Sequence, residues 1–214
     1  MNIKTAVGAA ILGFLFCTSG ALALEGPDKD QTKGIPKEFV TEYGKALPPV
    51  GFVRFCASNP QDCRPIGGKP NRLAMPPERW NLLYQVNNFV NGSIIPVSDQ
   101  DLYGEPEHWA YPTDAGDCED YLLLKKRYLE GLGFPPESLL ITVVLDEKKE
   151  GHAVLTVTTA NGDFILDNRR NDILRWSDAE YVFLKRQSPR DPRQWVALVK
   201  DKPSHSGLIA GGNK

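Results

Sequence analysis

The chain lacks net positive charge. Its 25 basic residues face 27 acidic ones, for a formal net charge of -2. A basic face for nucleic acid or an anionic membrane surface is therefore not expected. Histidine is scarce: His108, His152 and His205 are the three present. Beyond the first residues, no apolar run is long enough to span a bilayer, which takes about 20 residues. No internal repeat is visible, so solenoid and propeller architectures are not expected.

The first residues read differently from the rest. MNIKTAVGAAILGFLFCTSGALA carries Lys4, an apolar run from Ala6 to Cys17, and the small-residue site Ala21-Leu22-Ala23. This predicts a secretory signal peptide over residues 1–23, cleaved after Ala23. Phe16 before Cys17 argues against a lipoprotein site, which needs a small residue there. Lys4 is the one charged residue removed, so the mature chain would carry 24 basic and 27 acidic residues, net -3. It would be soluble outside the cytoplasm, with no integral membrane segment after cleavage.

Three cysteines then remain. Cys56 and Cys63 lie in FCASNPQDC, a short segment with Asn59-Pro60 at its centre, and form the natural disulfide of an oxidising compartment. Cys118 is left over. An odd thiol in an exported protein is a reactive residue, half of an intermolecular bridge, or a buried bystander.

Residues 24–36 are polar, with Pro27, Gly34 and Pro36, and read as a flexible lead-in. Residues 37–200 suit one domain. Within it, 37–78 are broken by prolines and glycines. Trp80, Leu83, Tyr84, Val86 and Val90 recur at helical spacing between Pro76-Pro77 and Gly92. Residues 95–116 read as a long loop with Pro96, Pro106 and Pro112. A second helix starts near Asp117, with Tyr121, Leu122, Leu124, Tyr128, Leu129 and Leu132 as its apolar side and Gly131 and Gly133 at its end. After Pro135-Pro136 the period changes. LLITVVLD, HAVLTVTT, DFILD, YVFLKRQ and WVALV read as strands, with a hairpin at Asn161-Gly162. Residues 201–214 read as a disordered tail. Helices first and an antiparallel sheet after them make an α+β fold.

A cysteine nucleophile needs a base, and the base needs an orienting acceptor. His205 falls in the tail and His108 in the loop GEPEHWAYP, whereas His152 opens a strand. His152 is the better base by position. Asp167 ends DFILD, fifteen positions on, and strand alternation puts both side chains on one face. A strict two-residue turn would leave them diagonal, so a wider loop or bulge is expected to correct the register. Asn168 and Asp163 are the alternatives. Cys118 at a helix start would have the dipole and free N–H groups behind its thiolate, and its own N–H as an oxyanion donor. Trp109 is a candidate for the second donor. Against this stand Asp117, Glu119 and Asp120, whose charges should suppress a thiolate. In the plainest reading they are the acidic first turn that many helices carry.

EHWAYPTDAGDCEDYLLLKKRYLEGLG, then GHAVL, then FILDNR, resembles the bacterial transglutaminase-like cysteine proteinases over roughly residues 75 to 200. FCASNPQDC looks like a feature of one branch. The resemblance implies a papain-like, transglutaminase-like fold: a helical lobe carrying the nucleophile, packed on an antiparallel sheet. It implies Cys118, His152 and Asp167 as the catalytic set, in a periplasmic protease that clips a large surface adhesin and so controls attachment and biofilm. It implies calcium as cofactor, held by Asp117, Glu119 and Asp120, and an inner-membrane receptor that sequesters the protease. Two other readings use the same residues: a transglutaminase or amidase working through the same thioester, and a non-catalytic periplasmic binding module.

Overall fold

The computed structural model describes residues 39–67 and 70–200. The expected signal peptide, lead-in and tail lie outside the described residues, as do residues 37 and 38 of the expected domain. Among the described residues, four α-helices and nine strands follow one another. They are β1 (Lys45–Ala46), α1 (Val50–Ser58), α2 (Pro77–Ser93), β2 (Ile95–Pro96), α3 (Asp99–Tyr103), β3 (Ala115–Gly116) and α4 (Cys118–Gly131). Then come β4 (Leu139–Leu145), β5 (Gly151–Thr159), β6 (Gly162–Asp167), β7 (Arg170–Arg175), β8 (Val182–Gln187) and β9 (Trp195–Ala197), with 3-10 turns at Pro60–Cys63 and Pro136–Ser138. Helices precede a seven-stranded antiparallel sheet of order β1-β9-β8-β4-β5-β6-β7. The fold is α+β, as the sequence predicts. No helix among the described residues is long and apolar enough to cross a membrane.

The centre of the sheet is sealed on both sides. Strands β4, β5 and β6 are buried along nearly their whole length. One face, with Ala153, Leu155, Val157 and Leu166, packs with Leu83, Val90, Leu122 and Leu129 from α2 and α4. The other, with Val144, Val154 and Ile165, packs with Val40, Phe183 and Leu198. Buried strands of this kind are continuous apolar runs rich in β-branched residues, which is how they stand out in the sequence.

Helix α4 carries the residue of most interest at its first position. Acidic Glu119 and Asp120 occupy its first turn. Its end is a Schellman motif: Phe134 N–H donates to Leu129 C=O and Gly133 N–H to Glu130 C=O, each at 3.0 Å, with Gly133 at φ +85°. The buried stripe runs Cys118, Leu122, Lys125, Leu129. The sequence reading counted Tyr128 and Leu132 in that stripe. Both are exposed: Tyr128 sits one helical step off the line set by Cys118 and Leu122, and Leu132 is the C-cap residue just past the end of the helix. Tyr84 of α2 is exposed for the same reason as Tyr128.

Three stretches differ from expectation. Residues 50–58, read as irregular, form α1, whose Gly51, Phe52 and Phe55 are buried and whose Cys56 is bonded to Cys63. The prolines on either side delimit this helix, with Pro49 at its N-cap and Pro60 just beyond its end. The long loop of 95–116 contains α3 and a parallel β2–β3 pair. NDILR, left without structure, is part of β7, an edge strand whose exposed first half hides its pattern.

Gly51 is a point of close approach. A Cβ there would lie 2.3 Å from Trp109 Cδ1. Alanine favours a helix over glycine by about 1 kcal/mol. Gly51→Ala should nevertheless destabilise the protein by about 1–3 kcal/mol in urea unfolding, because overpacking against a buried indole outweighs helix propensity. An unchanged or raised midpoint would show that Trp109 is free to move aside.

Candidate active site

Cys118, His152 and Asp167 belong to three elements that meet at one end of the sheet. β5 begins with Gly151 and His152, and β6 ends with Asp167. The β5–β6 hairpin pairs Thr159 with Gly162 and Leu155 with Leu166. Its loop is therefore two residues, Ala160 and Asn161, and the expected register correction is absent from it. The shift lies instead between β6 and β7, at Ile165–Asp167. His152 and Asp167 stay diagonal, and the long imidazole side chain spans the diagonal directly. His152 Nε2 and Asp167 Oδ1 are 2.9 Å apart, and both residues are buried.

Asp167 is heavily engaged. Arg169 N–H donates to Oδ1 at 3.0 Å and the Tyr181 hydroxyl to Oδ2 at 2.5 Å. Asn91 of α2 donates to its backbone carbonyl at 3.0 Å. Burial pushes this carboxyl up, but hydrogen bonding and charge from His152, with Tyr181 and Arg169, overcome it and hold the group well below the usual carboxylate range. Asp167 is thus ionised at any working pH. Of the alternatives, Asp163 is committed elsewhere: Arg72 at 2.6 Å, Arg186 at 3.0 Å and Val40 N–H at 3.1 Å surround it. It lies four residues, about 13 Å, along the strand from Asp167. Asn168 follows in the β6–β7 turn; His152 is met by Asp167.

The thiol is in the environment that the sequence warns of. Burial, then the charges of Glu119 and Asp117, push Cys118 well above an ordinary thiol; the Ala153 N–H, next to His152 in β5, works against them. Cys118 Sγ lies 2.9 Å from Glu119 Oε2.

The acidic residues do not form a solvated helix turn. Glu119 and Asp120 are fully buried, and the fold brings a fourth carboxylate, buried Asp99 from the start of α3, to join them and Asp117. The sequence reading did not include Asp99, which is remote in sequence and looks like an ordinary acidic residue after the N-cap Ser98. Ligand oxygens of Asp99, Asp117 and Asp120 lie within 4.8 Å of one another, as do those of Asp117, Glu119 and the Cys118 sulfur. Burial raises all four carboxyls, Asp99 to about 6 and Asp120 to about 8; repulsion from neighbouring carboxylates adds to it at Asp99, Glu119 and Asp120, whereas hydrogen bonds work against it at Asp117.

The oxygens of Asp99 and Asp120 have divided tasks. Asp99 Oδ2 accepts from His108 N–H, and Asp120 Oδ1 from Ala110 N–H at 2.8 Å. Their other oxygens, Asp99 Oδ1 and Asp120 Oδ2, are buried without a hydrogen-bond partner, and so are Asp117 Oδ1 and Glu119 Oε1. Four orphaned carboxylate oxygens from four residues fit a hard cation bound through oxygen.

Trp109 sits between the two loop residues that this cluster holds. Its indole N–H donates to Glu107 at 3.1 Å and its ring packs edge-on to Phe52, so the indole is committed away from the sulfur. His108 remains on the loop, its ring tilted by 34° against Tyr103 with centroids 4.2 Å apart. A cavity of about 480 Å³ lies between α1 and residues 105–111, lined by Arg54, Phe55, His108 and Trp109 among others. It does not include Cys118, His152 or Asp167; reactive chemistry rather than cavity size locates the site.

Comparison with known proteins gives two results. Among solved structures, similar chains include calcium-bound Legionella pneumophila LapG, at 23% identity and TM-score 0.49, over 62% of this chain and 75% of that one. EGTA-treated Legionella pneumophila LapG gives 26% identity and TM-score 0.44, over 50% of this chain and 62% of that one. No curated protein sequence matches. The sequence model of a family described as bacterial transglutaminase-like cysteine proteinase, BTLCP, matches residues 42–203, most of the chain. The match takes in the helix that bears Cys118 and the hairpin that bears His152 and Asp167, and the chain belongs to the bacterial transglutaminase-like cysteine proteinases.

Proposed function

We propose that this cysteine protease uses Cys118 as nucleophile, His152 as general base and Asp167 as the orienting acceptor. The observation that carries the reading is the buried 2.9 Å contact between His152 Nε2 and Asp167 Oδ1. An ionised Asp167 accepts the Nε2–H, which selects the tautomer with its lone pair on Nδ1. Nδ1 then takes the Cys118 thiol proton as sulfur attacks a peptide carbonyl carbon. The oxyanion develops at the first turn of α4, where the Cys118 N–H and the helix dipole favour negative charge. Collapse breaks the C–N bond, and the imidazolium gives its proton to the leaving amine. Water, deprotonated by His152, then hydrolyses the thioester and returns the proton to sulfur.

Calcium is the cofactor of this reading, held by Asp117, Glu119 and Asp120 with Asp99 added. A divalent cation there would offset the negative field that now raises the thiol. Four carboxylates, four orphaned oxygens and a flexible count of ligands suit calcium better than magnesium, which demands near-octahedral geometry.

The signal-peptide pattern of residues 1–23 supports export to the periplasm. The substrate is a protein; the family resemblance makes a large surface adhesin the preferred class, and a sequestering inner-membrane receptor the preferred regulatory partner.

Cys118→Ala should abolish cleavage with the melting temperature nearly unchanged, since it removes the nucleophile and little volume. His152→Ala should be almost as severe, and Asp167→Asn milder because shape is kept. Peptide products, followed by mass spectrometry with and without an added amine, distinguish hydrolysis from acyl transfer. Wild-type turnover in Cys118→Ala would defeat the mechanism.

Chelator should lower activity and calcium restore it, with magnesium a poor substitute and Glu119→Ala imitating the chelator. Calcium should also raise the melting temperature. The raised carboxyls add a pH signature. Asp99 and Asp120 bind protons in the folded chain up to about pH 6 and about pH 8, well above the ordinary aspartate range. In chelator, stability should therefore fall as pH rises from about 4 to 8, because the folded state holds protons that the unfolded state has released. Calcium should flatten that decline. Melting curves that ignore both calcium and pH would leave the cluster without a cation role.

A further inference from the structure

We infer that Tyr181 is a positioning residue for the reaction, fixing the Asp167 carboxylate so that Oδ1 stays aimed at His152. The inference rests on the triad reading above and concerns a residue that neither the motif nor the strand pattern singles out. Tyr181 immediately precedes β8, which is separated from β6 by β4 and β5. Its side chain nevertheless reaches the far end of β6, where the hydroxyl donates to Asp167 Oδ2 at 2.5 Å. Its ring stands edge-on to the His152 imidazole, with centroids 5.6 Å apart and planes at 70°. One phenol therefore touches both partners of the pair, from a strand belonging to neither.

The geometry explains why such a contact is needed. A carboxylate turns about its terminal sp³–sp² torsion in a broad, shallow well. The His152 contact and Arg169 N–H both fall on Oδ1, at 2.9 and 3.0 Å. They leave Oδ2 free to swing. Tyr181 holds Oδ2, and the Arg170 guanidinium, 3.8 Å from Oδ2 and 5.8 Å from the centre of the Tyr181 ring, closes the remaining side. Asn91 fixes the backbone beneath, through the Asp167 carbonyl at 3.0 Å. Burial and the adjacent Asp167 charge push the Tyr181 phenol up, so it stays a donor wherever the enzyme works.

The test uses the calcium-loaded protein and p-nitrophenyl acetate, an acyl donor that demands no peptide recognition, with Cys118→Ala as the blank. Tyr181→Phe removes the hydroxyl and keeps the ring. It should lower kcat roughly tenfold, in line with a lost hydrogen bond to a charged group, and leave KM within about twofold. In the Asp167→Asn background the same change should cost little more, because the carboxylate it positions is gone. Proton NMR of the unsubstituted protein supplies a reading that needs no folded variant: a slowly exchanging Tyr181 hydroxyl with a nuclear Overhauser contact to the His152 ring. Wild-type kcat in Tyr181→Phe, a full tenfold loss also in the Asp167→Asn background, or no protected hydroxyl overturns the inference. If Asp167→Asn itself turns over like wild type, the triad reading fails, which is a separate result.

Discussion

The first turn of α4 gathers more negative charge than its surroundings neutralise. Three carboxylates flank Cys118 in sequence and Asp99 joins them from α3, all crowded at one buried point. Charges removed from water must be paired, protonated or bound to metal. The protein alone can only protonate them, which is what their raised carboxyls express. The same crowding raises the Cys118 thiol, so nucleophile and cluster share one electrostatic problem. A bound cation, as proposed, would answer both at once.

The loop ahead of α4 depends on the same point. Asp99 and Asp120 hold His108 and Ala110 through their other oxygens, so residues 108–110 are tied to the cluster from two sides. Trp109 between them is wedged over Gly51 and Phe52 of α1. Tyr111, next along, donates to Asp62 at 3.0 Å in the segment closed by the Cys56–Cys63 bond. Cluster, loop, α1 and disulfide form one mechanical chain. Compensation at the cluster is therefore felt some distance from the sulfur, and the cavity beside α1 shares a wall with it.

Much of the site was legible because its residues carry local signals. Cys118 opens a periodic helix, His152 opens a β-branched run and Asp167 closes another. Strand parity alone put the last two on one face. What failed was what parity does not contain. A diagonal pair needs no bulge when one side chain is long enough, and the sequence reading inserted one. Asp99 and Tyr181 escaped notice because their partners lie far away in the chain; one looks like an ordinary loop residue and the other like the start of a strand until the sheet and α3 are in place. Lys125 was not singled out at all. A lysine reads as solvent-facing, yet it is buried on the Cys118–Leu129 stripe, where burial lowers it to about 7 against the pull of the Asp167 charge. Helix α1 was lost to punctuation, since prolines at both its boundaries read as breakage rather than as caps.

The β5–β6 connection has only two residues, Ala160 and Asn161, and that sets an order of assembly. Closing a short hairpin costs little chain entropy, so base and orienting acid, fifteen positions apart, meet as soon as the two strands zip together. The sulfur sits thirty-four positions before the base and joins them only when α4 docks across β5, a contact of higher order. In the proposed triad the sulfur would thus be the last member to arrive, and loss of α4 docking would separate it from the hairpin pair.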